Sequence, residues 1–542
     1  MMVRRSNFLW LLSALLIYGG CAVNAQKEAV DSITIDELRM HMNFIASDET
    51  LGRDTPSQEL KITCRYLANL AECYGLKPLM PDGSYYQVIP VEVSKVSEVK
   101  TQLKLTVGPY KEVFRFPYDF GTGGRSTTEG RVSGSVVFVG YGLEAADQGW
   151  DDYGDLDLAG KIVVMLEGRL PEEMSAKFGR FLRNRATAAR RKGAAAVLTI
   201  INPERENKFT QTDTSFSNIE SMGRYRHDYG QASGRQTIPA AQARTFLQAE
   251  IRHDPAAAIL GVSRDQLNYM FAALSRGEQV PRRELGERNV ELILQPAKRT
   301  VNTQNVIAYV EGSDPELKDE YVVIGSHPDH LGVRNGQVMN GADDNVSGVV
   351  AMLEIAQALL IESPKRSVIL TWFTGEEKGL MGSHIFANNC PVPVEKISAM
   401  LNLDMICRND PDHLYLVASK LLSTELDASI HDMNDKYIHL NFDYEYEDPN
   451  HPDRFYRRSD HYPFNLFGVP AVWLFCGTTE DYHQPTDTID RVDFEKMLKV
   501  TQLTYLVCCD IGNKDEMLQL DVNPQVTTRG RHNIPVQLQI QR

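Results

Sequence analysis

The sequence predicts a mixed, mostly parallel α/β sheet with helices on both faces, joined by an inserted β-rich unit. Three observations predict it. From about residue 302, short apolar runs at 321–324, 367–373, 400–405 and 471–475 alternate with helical stretches such as 349–360, the order that builds a parallel sheet. Those runs are continuously apolar instead of alternating, as strands buried on both faces are. A second series of runs, 136–139, 161–166 and 196–201, starts near residue 131 and is punctuated by glycines, which marks a separate unit.

The remaining elements follow in chain order. Arg4 and Arg5 precede an apolar run over 8–18 and the small residues Gly19-Gly20-Cys21-Ala22. That run is too short to span a bilayer, which takes about 20 apolar residues, and it reads as an export signal over 1–25. Two processing routes stay open: cleavage after Ala25, or a lipid anchor at Cys21. The expected location is periplasmic, cell-surface or secreted. No later segment reads as apolar enough to cross a membrane. Residues 34–75 read as two helices parted near Gly52, and 87–125 as alternating strands. The basic stretch 177–192, with Arg183, Arg185, Arg190 and Arg191, reads as a solvated helix face. Residues 203–240 read as a long loop, and the tail at 529–532 as solvated.

Composition narrows the function. The chain has 542 residues, 42% hydrophobic, with a net charge of −15. That charge repels nucleic-acid phosphates and anionic lipid, so neither is an expected partner. Eight cysteines with no CxxC pair and no dense framework read as buried thiols rather than a disulfide scaffold.

The chemistry gathers after the strands. His327-Pro328-Asp329-His330 follows the first run, and Asp343-Asp344-Asn345 precedes the apolar helix. Glu376-Glu377 follows the second run, Asp404 closes the third, and Tyr482-His483 ends the loop after the fourth. Open α/β sheets place their sites at the carboxyl ends of strands, so five loops converge at one edge. Zinc takes imidazole nitrogen and carboxylate oxygen. Two ions roughly 3.5–4 Å apart share a bridging carboxylate, and a further carboxylate that is not a ligand takes a proton from water. Adjacent Glu376 and Glu377 offer that division, because neighbours in an extended segment point in opposite directions.

The motifs HPDH, NGADDNVSG, TGEEKGLMGS, LNLDM and YHQPTDT occur in an order that resembles the zinc aminopeptidase and glutamate carboxypeptidase family, clan MH. The resemblance covers roughly 300–510 and part of 34–95. It implies two zinc ions, with Asp344 bridging, His327 and Asp404 on one ion, and Glu377 and His483 on the other. It implies Glu376 as general base, Asp329 as the partner that orients His327, and Tyr482 as a stabiliser of the oxyanion. His330 is expected beside the site or at the surface, not as a ligand. Asp460-His461 is expected to brace a loop, and His451 to be solvated. The 131–255 unit resembles a protease-associated domain. The expected organisation is a first catalytic segment over 30–130, that insert, a connecting segment over 256–300, the main catalytic part over 301–515 and a tail over 516–542. The expected activity is removal of residues from peptide N-termini. A carboxypeptidase, a glutaminyl cyclase and a non-catalytic receptor-like protein on the same fold are the alternatives. Residue preference and oligomeric state are not legible.

Overall fold

The computed structural model describes residues 26–122, 129–182, 184–211, 221–222, 246–334, 336–448 and 451–530. The expected export signal lies outside them. The chain forms two compact units. The first comprises the described residues of Met1–Val91 and Val301–Arg542, the second those of Glu92–Gly223 and Gln236–Thr300.

At the centre of the first unit, the strands Ser367–Trp372, Tyr321–Ser326, Ile397–Leu403 and Ala471–Phe475 lie side by side in that order, all parallel. Pro296–Val310 borders them antiparallel on one side and His413–Val417 on the other. Side chains alternate across a pleat, and here both faces are apolar. Val322 and Ile324 enter one core cluster while Val323, between them, enters another. The first cluster is covered by the helices Ile35–Ile45, Gln58–Tyr74, Gly348–Ile361 and Phe494–Asn513, the second by Met381–Asn388 and His461–Leu466. Thr34 and Ser57 cap the first two helices, each accepting from the backbone N–H three residues on, the usual remedy for orphan donors at a helix start.

Helix Gly348–Ile361 is apolar on nearly every side, so it is buried nearly all round. The stretch Ala342–Ile361 is long and apolar enough to cross a membrane by length and composition, which the sequence reading had denied to every segment past the N-terminus. Its most apolar window is 83% buried within the unit, as befits a core helix.

The second unit is wider than the 131–255 expected. Its eight-stranded sheet runs Tyr110–Phe114, Gln102–Val107, Arg283–Leu294, Gly130–Phe138, Ile162–Leu166, Ala196–Ile200, Leu247–Ile251, Phe120–Gly121. Gln102–Val107 and Arg283–Leu294 pair with one another across nearly two hundred residues of sequence. Such pairing leaves no local trace, so neither strand was placed in the unit from sequence. Two further expectations change. Residues 203–211 form a helix, not loop, and 212–220 and 223–240 lie outside the described residues. Arg185 turns inward, its Nη1 donating to the Tyr141 and Leu166 carbonyls. In the first unit, Arg529 likewise donates to Ser398 O at 3.1 Å instead of standing in solvent.

All seven described cysteines are free, and five of them are buried; Cys21 lies outside the described residues.

Candidate metal centre

Four of the five predicted ligands follow the ends of parallel strands, and Asp344 lies in the turn before helix Gly348–Ile361. His327 follows Tyr321–Ser326 directly, and Asp404 follows Ile397–Leu403. Glu376 and Glu377 lie just beyond Ser367–Trp372, in a turn rather than an extended segment, since the N–H groups of Gly379 and Leu380 both donate to Glu376 O. The two side chains diverge all the same. His483 ends the loop after Ala471–Phe475, in a left-handed conformation with φ 57°. Met405, beside Asp404, does the same at φ 59°. Such conformations cost a bulky residue roughly 1–3 kcal/mol and gather at functional sites. Gly341, at φ 59°, opens the turn that carries Asp344; a Cβ there would lie 2.2 Å from Asp344 O and 2.6 Å from the His330 ring.

The structure brings these groups together as two clusters around one carboxylate. His327 Nε2 lies 3.4 Å from Asp404 Oδ1 and 3.6 Å from Asp344 Oδ1. His483 Nε2 lies 3.1 Å from Asp344 Oδ2 and 3.2 Å from Glu377 Oε1. Each oxygen of Asp344 is therefore faced by a different imidazole. Glu376 stands with His327 and Asp404, their nearest ligand atoms within 4.8 Å of one another. His330 is fully buried, not at the surface, and its Nδ1 lies 3.0 Å from Glu377 Oε1.

Buried polar atoms normally find a hydrogen-bond partner. His327 Nε2, Asp404 Oδ1 and Glu377 Oε1 find none of adequate geometry. Converging imidazole nitrogens and carboxylate oxygens without donors are what a borderline-soft divalent cation takes, and the donor set fits zinc.

Neighbouring carboxylates respond in opposite directions. Burial lifts Glu376 well above the ordinary carboxylate range. Burial also pushes Glu377 up, but the imidazoles of His330 and His483 beside it outweigh that and hold it well below that range. Burial lowers His483, yet the carboxylates of Asp344 and Glu377 beside it prevail and raise it to about 10.

Asp329 does not orient His327 chiefly through its carboxylate. His327 Nδ1 lies 3.1 Å from the Asp329 backbone oxygen and 3.9 Å from Oδ1. Oδ1 instead accepts from the N–H groups of Gly375 and Glu376, at 2.8 and 3.1 Å. Burial raises Asp329 to about 6. Tyr482 stacks on His483 with ring centroids 3.8 Å apart, and its hydroxyl accepts from Arg458 Nη2 at 2.9 Å. Both line a cleft with Asp344, Glu376, Phe455 and Trp473. Asp460 braces its loop by accepting from Ser383. His451 is half-buried against Tyr446 instead of solvated.

Sequence reasoning missed several supports. Ser459 Oγ donates to Asp404 Oδ2 at 2.5 Å and accepts from Asn402 at 2.7 Å. Arg53 is fully buried and donates to the carbonyls of Pro328, Ile45 and Gly341. Burial lowers its guanidinium to about 10 although Asp329, Asp487 and Asp344 pull the other way. The available signal for Ser459 was its place beside Asp460-His461, the pair expected to brace a loop; Arg53 gave none, because a lone arginine in a helix break resembles surface.

Fold and site together define the class: an α/β unit that gathers paired histidine–carboxylate clusters at the carboxyl edge of its parallel strands. Residues 305–507 match the family model described as Peptidase family M28. A probable leucine aminopeptidase 2 of Aspergillus oryzae is 28% identical over 252 residues, 44% of this chain and 45% of that protein. Its counterpart in Aspergillus fumigatus is 32% identical over 183 residues, 32% and 33% of the two chains. The chain thus spans half or less of the length of these curated relatives. A zinc aminopeptidase from Bacillus subtilis shares the fold with a TM-score of 0.53 at 16% identity, over 93% of this chain and 99% of that one. So does an aminopeptidase from Aneurinibacillus sp. strain AM-1, with a TM-score of 0.52 at 19% identity, over 91% and 97%.

Proposed function

We propose that the chain is a zinc metallo-exopeptidase with two metal ions that releases residues from peptide N-termini. One observation carries this reading: the two oxygens of Asp344 face two different imidazoles, the layout a bridging carboxylate requires. His327 and Asp404 would complete one site, Glu377 and His483 the other. When bound, zinc polarises a carbonyl and brings the pKa of a water near neutrality. Glu376, lining the same cleft, is placed to accept a proton and pass it to the leaving amine. The Tyr482 hydroxyl is placed to donate to charge that develops on the carbonyl oxygen.

The carboxylates of Asp344, Glu376 and Asp404 line the cleft and suit a free α-ammonium better than a carboxylate. The names of the relatives agree. A second reading, carboxypeptidase, has one observation in its favour: the Arg458 guanidinium, which suits a C-terminal carboxylate, lines the same cleft. It ranks lower because that guanidinium is already engaged by Tyr482.

Export and an accessory, protease-associated role for the second unit belong to the same proposal. The first rests on Arg4, Arg5 and the apolar run behind them. The second rests on the resemblance of the 131–255 stretch to a protease-associated domain.

Three versions of one peptide decide the activity: free, N-acetylated and C-amidated. Acetylation is expected to stop cleavage and amidation to leave it. The reverse pattern means a carboxypeptidase, and release of ammonia from an N-terminal glutamine without chain cleavage means a cyclase.

A further inference from the structure

Four residues beyond His483 lies Asp487, in a motif that carries no assigned role for it. The side chain is 2% exposed. Its Oδ1 accepts the N–H of Asp343 at 3.0 Å and its Oδ2 that of Asp344 at 3.1 Å. Its backbone oxygen accepts the N–H of Ala342 at 3.2 Å. Three consecutive amides of the loop that holds Asp344 therefore end on one residue of the loop that holds His483. Asp487 is itself fixed to that loop, since its N–H donates to Gln484 O, whose own N–H donates to Asp481 O. Asp481 in turn accepts from Arg408 at 2.6 Å. Loop backbone that turns away from any ladder must satisfy its amides elsewhere, and a carboxylate accepting from backbone N–H makes the shorter, stronger kind of bond.

We infer that Asp487 is a positioning residue that locks Asp344 and His483 into one spacing, so that the centre is formed before a cation arrives. The inference rests on the metal reading above and adds a residue to it. Distances support it: Asp344 Oδ2 and His483 Nε2 stand 3.1 Å apart, although 139 positions separate the two residues in the chain. A carboxylate is required because both oxygens accept. Asparagine offers one acceptor and turns an NH2 toward an N–H.

The test measures Zn2+ affinity of the full chain by competition with a chelator, for native, Asp487→Asn and Asp487→Ala, beside thermal melts of each without metal. Both variants are expected to lose roughly 10–100-fold in affinity, as supporting residues of metal ligands do, while the metal-free melts stay within a few degrees. A purely structural residue would move the melt and not the affinity. Native affinity in either variant overturns the inference. If the variants do not fold, amide exchange on the native metal-free chain decides. Slow exchange at Asp343 and Asp344 supports the lock, and exchange at the free rate overturns it. A native chain that binds no Zn2+ overturns the metal reading instead, and the exchange measurement still tests the lock.

Discussion

The backbone N–H of Glu376 donates to Asp329 Oδ1 over 3.1 Å, and that of Gly375 donates to the same atom over 2.8 Å. One carboxylate thus fixes the start of the turn that carries both glutamates, while the same residue's carbonyl meets His327 Nδ1. Asp329→Ala removes the acceptor and frees the turn. It is expected to lower kcat by roughly 10–100-fold, the usual cost of losing a supporting group around a metal ligand. Asp329→Asn keeps an acceptor oxygen and should lose far less. Steady-state kinetics on a dipeptide anilide, with zinc content measured alongside, compares them.

Glu376 and Glu377 should separate cleanly. Glu376→Gln is expected to abolish turnover, by at least about 10²-fold, with zinc content near native. Asp344→Asn should instead reduce retention of both ions, since a bridge serves two sites. Loss of zinc from Glu376→Gln would exchange the roles of the two glutamates. Elemental analysis per chain after dialysis reads the outcome.

How much of this was legible in the sequence depends on what kind of bond does the holding. The strands that end at His327 and Asp404 announce themselves, because a sheet buried on both faces leaves unbroken apolar runs, and the polar residue that ends each run stands out. The divergence of Glu376 and Glu377 was anticipated for a wrong reason: the segment is a turn, not extended backbone. Arg53, Ser459 and Asp487 act through backbone carbonyls, a carboxylate oxygen and backbone amides. Bonds of that kind impose no periodicity and look like ordinary loop residues. The limits of the second unit were missed because Gln102–Val107 and Arg283–Leu294 find each other only in three dimensions.

Arg458 donates to the Tyr482 hydroxyl oxygen, which leaves the phenolic hydrogen free to point into the cleft. Burial raises Tyr482 above the ordinary phenol range, so the group is a donor at neutral pH. Tyr482→Phe is expected to lower kcat by about 10²-fold, the scale of removing one oxyanion donor, with a small change in KM. Arg458→Met should lower kcat less. The double variant should be no worse than Tyr482→Phe, because the arginine acts through the tyrosine. Additive losses would mean that Arg458 contacts substrate on its own account.

Far from the cleft, Glu354 gives the fold a dependence on pH. It is the one acid on the buried helix Gly348–Ile361, 1% exposed. The groups that face it are Thr34 N–H at 3.3 Å, Gln357 Nε2 at 3.4 Å and His41 Nε2 at 3.9 Å, with Glu37 also close. Burial raises its carboxyl to about 8 from 4.5, and burial lowers His41, so no firm cation answers it. Below pH 4.5 both the folded and the unfolded chain hold the proton, and the residue contributes nothing to the slope. Between 4.5 and 8 the unfolded chain has released it and the folded chain has not. Stability therefore falls as pH rises across that window, by up to about 1.4 kcal/mol per unit. Above 8 both forms are ionised and the loss is complete. Glu354→Gln carries no proton to release, so its stability relative to the native chain should climb from pH 5 to pH 8 and then level off. Urea unfolding of both metal-free chains at pH 5, 6.5 and 8 measures the difference, in which every other titrating group cancels. A difference that stays flat with pH would show that Glu354 ionises in the folded chain as it does in water.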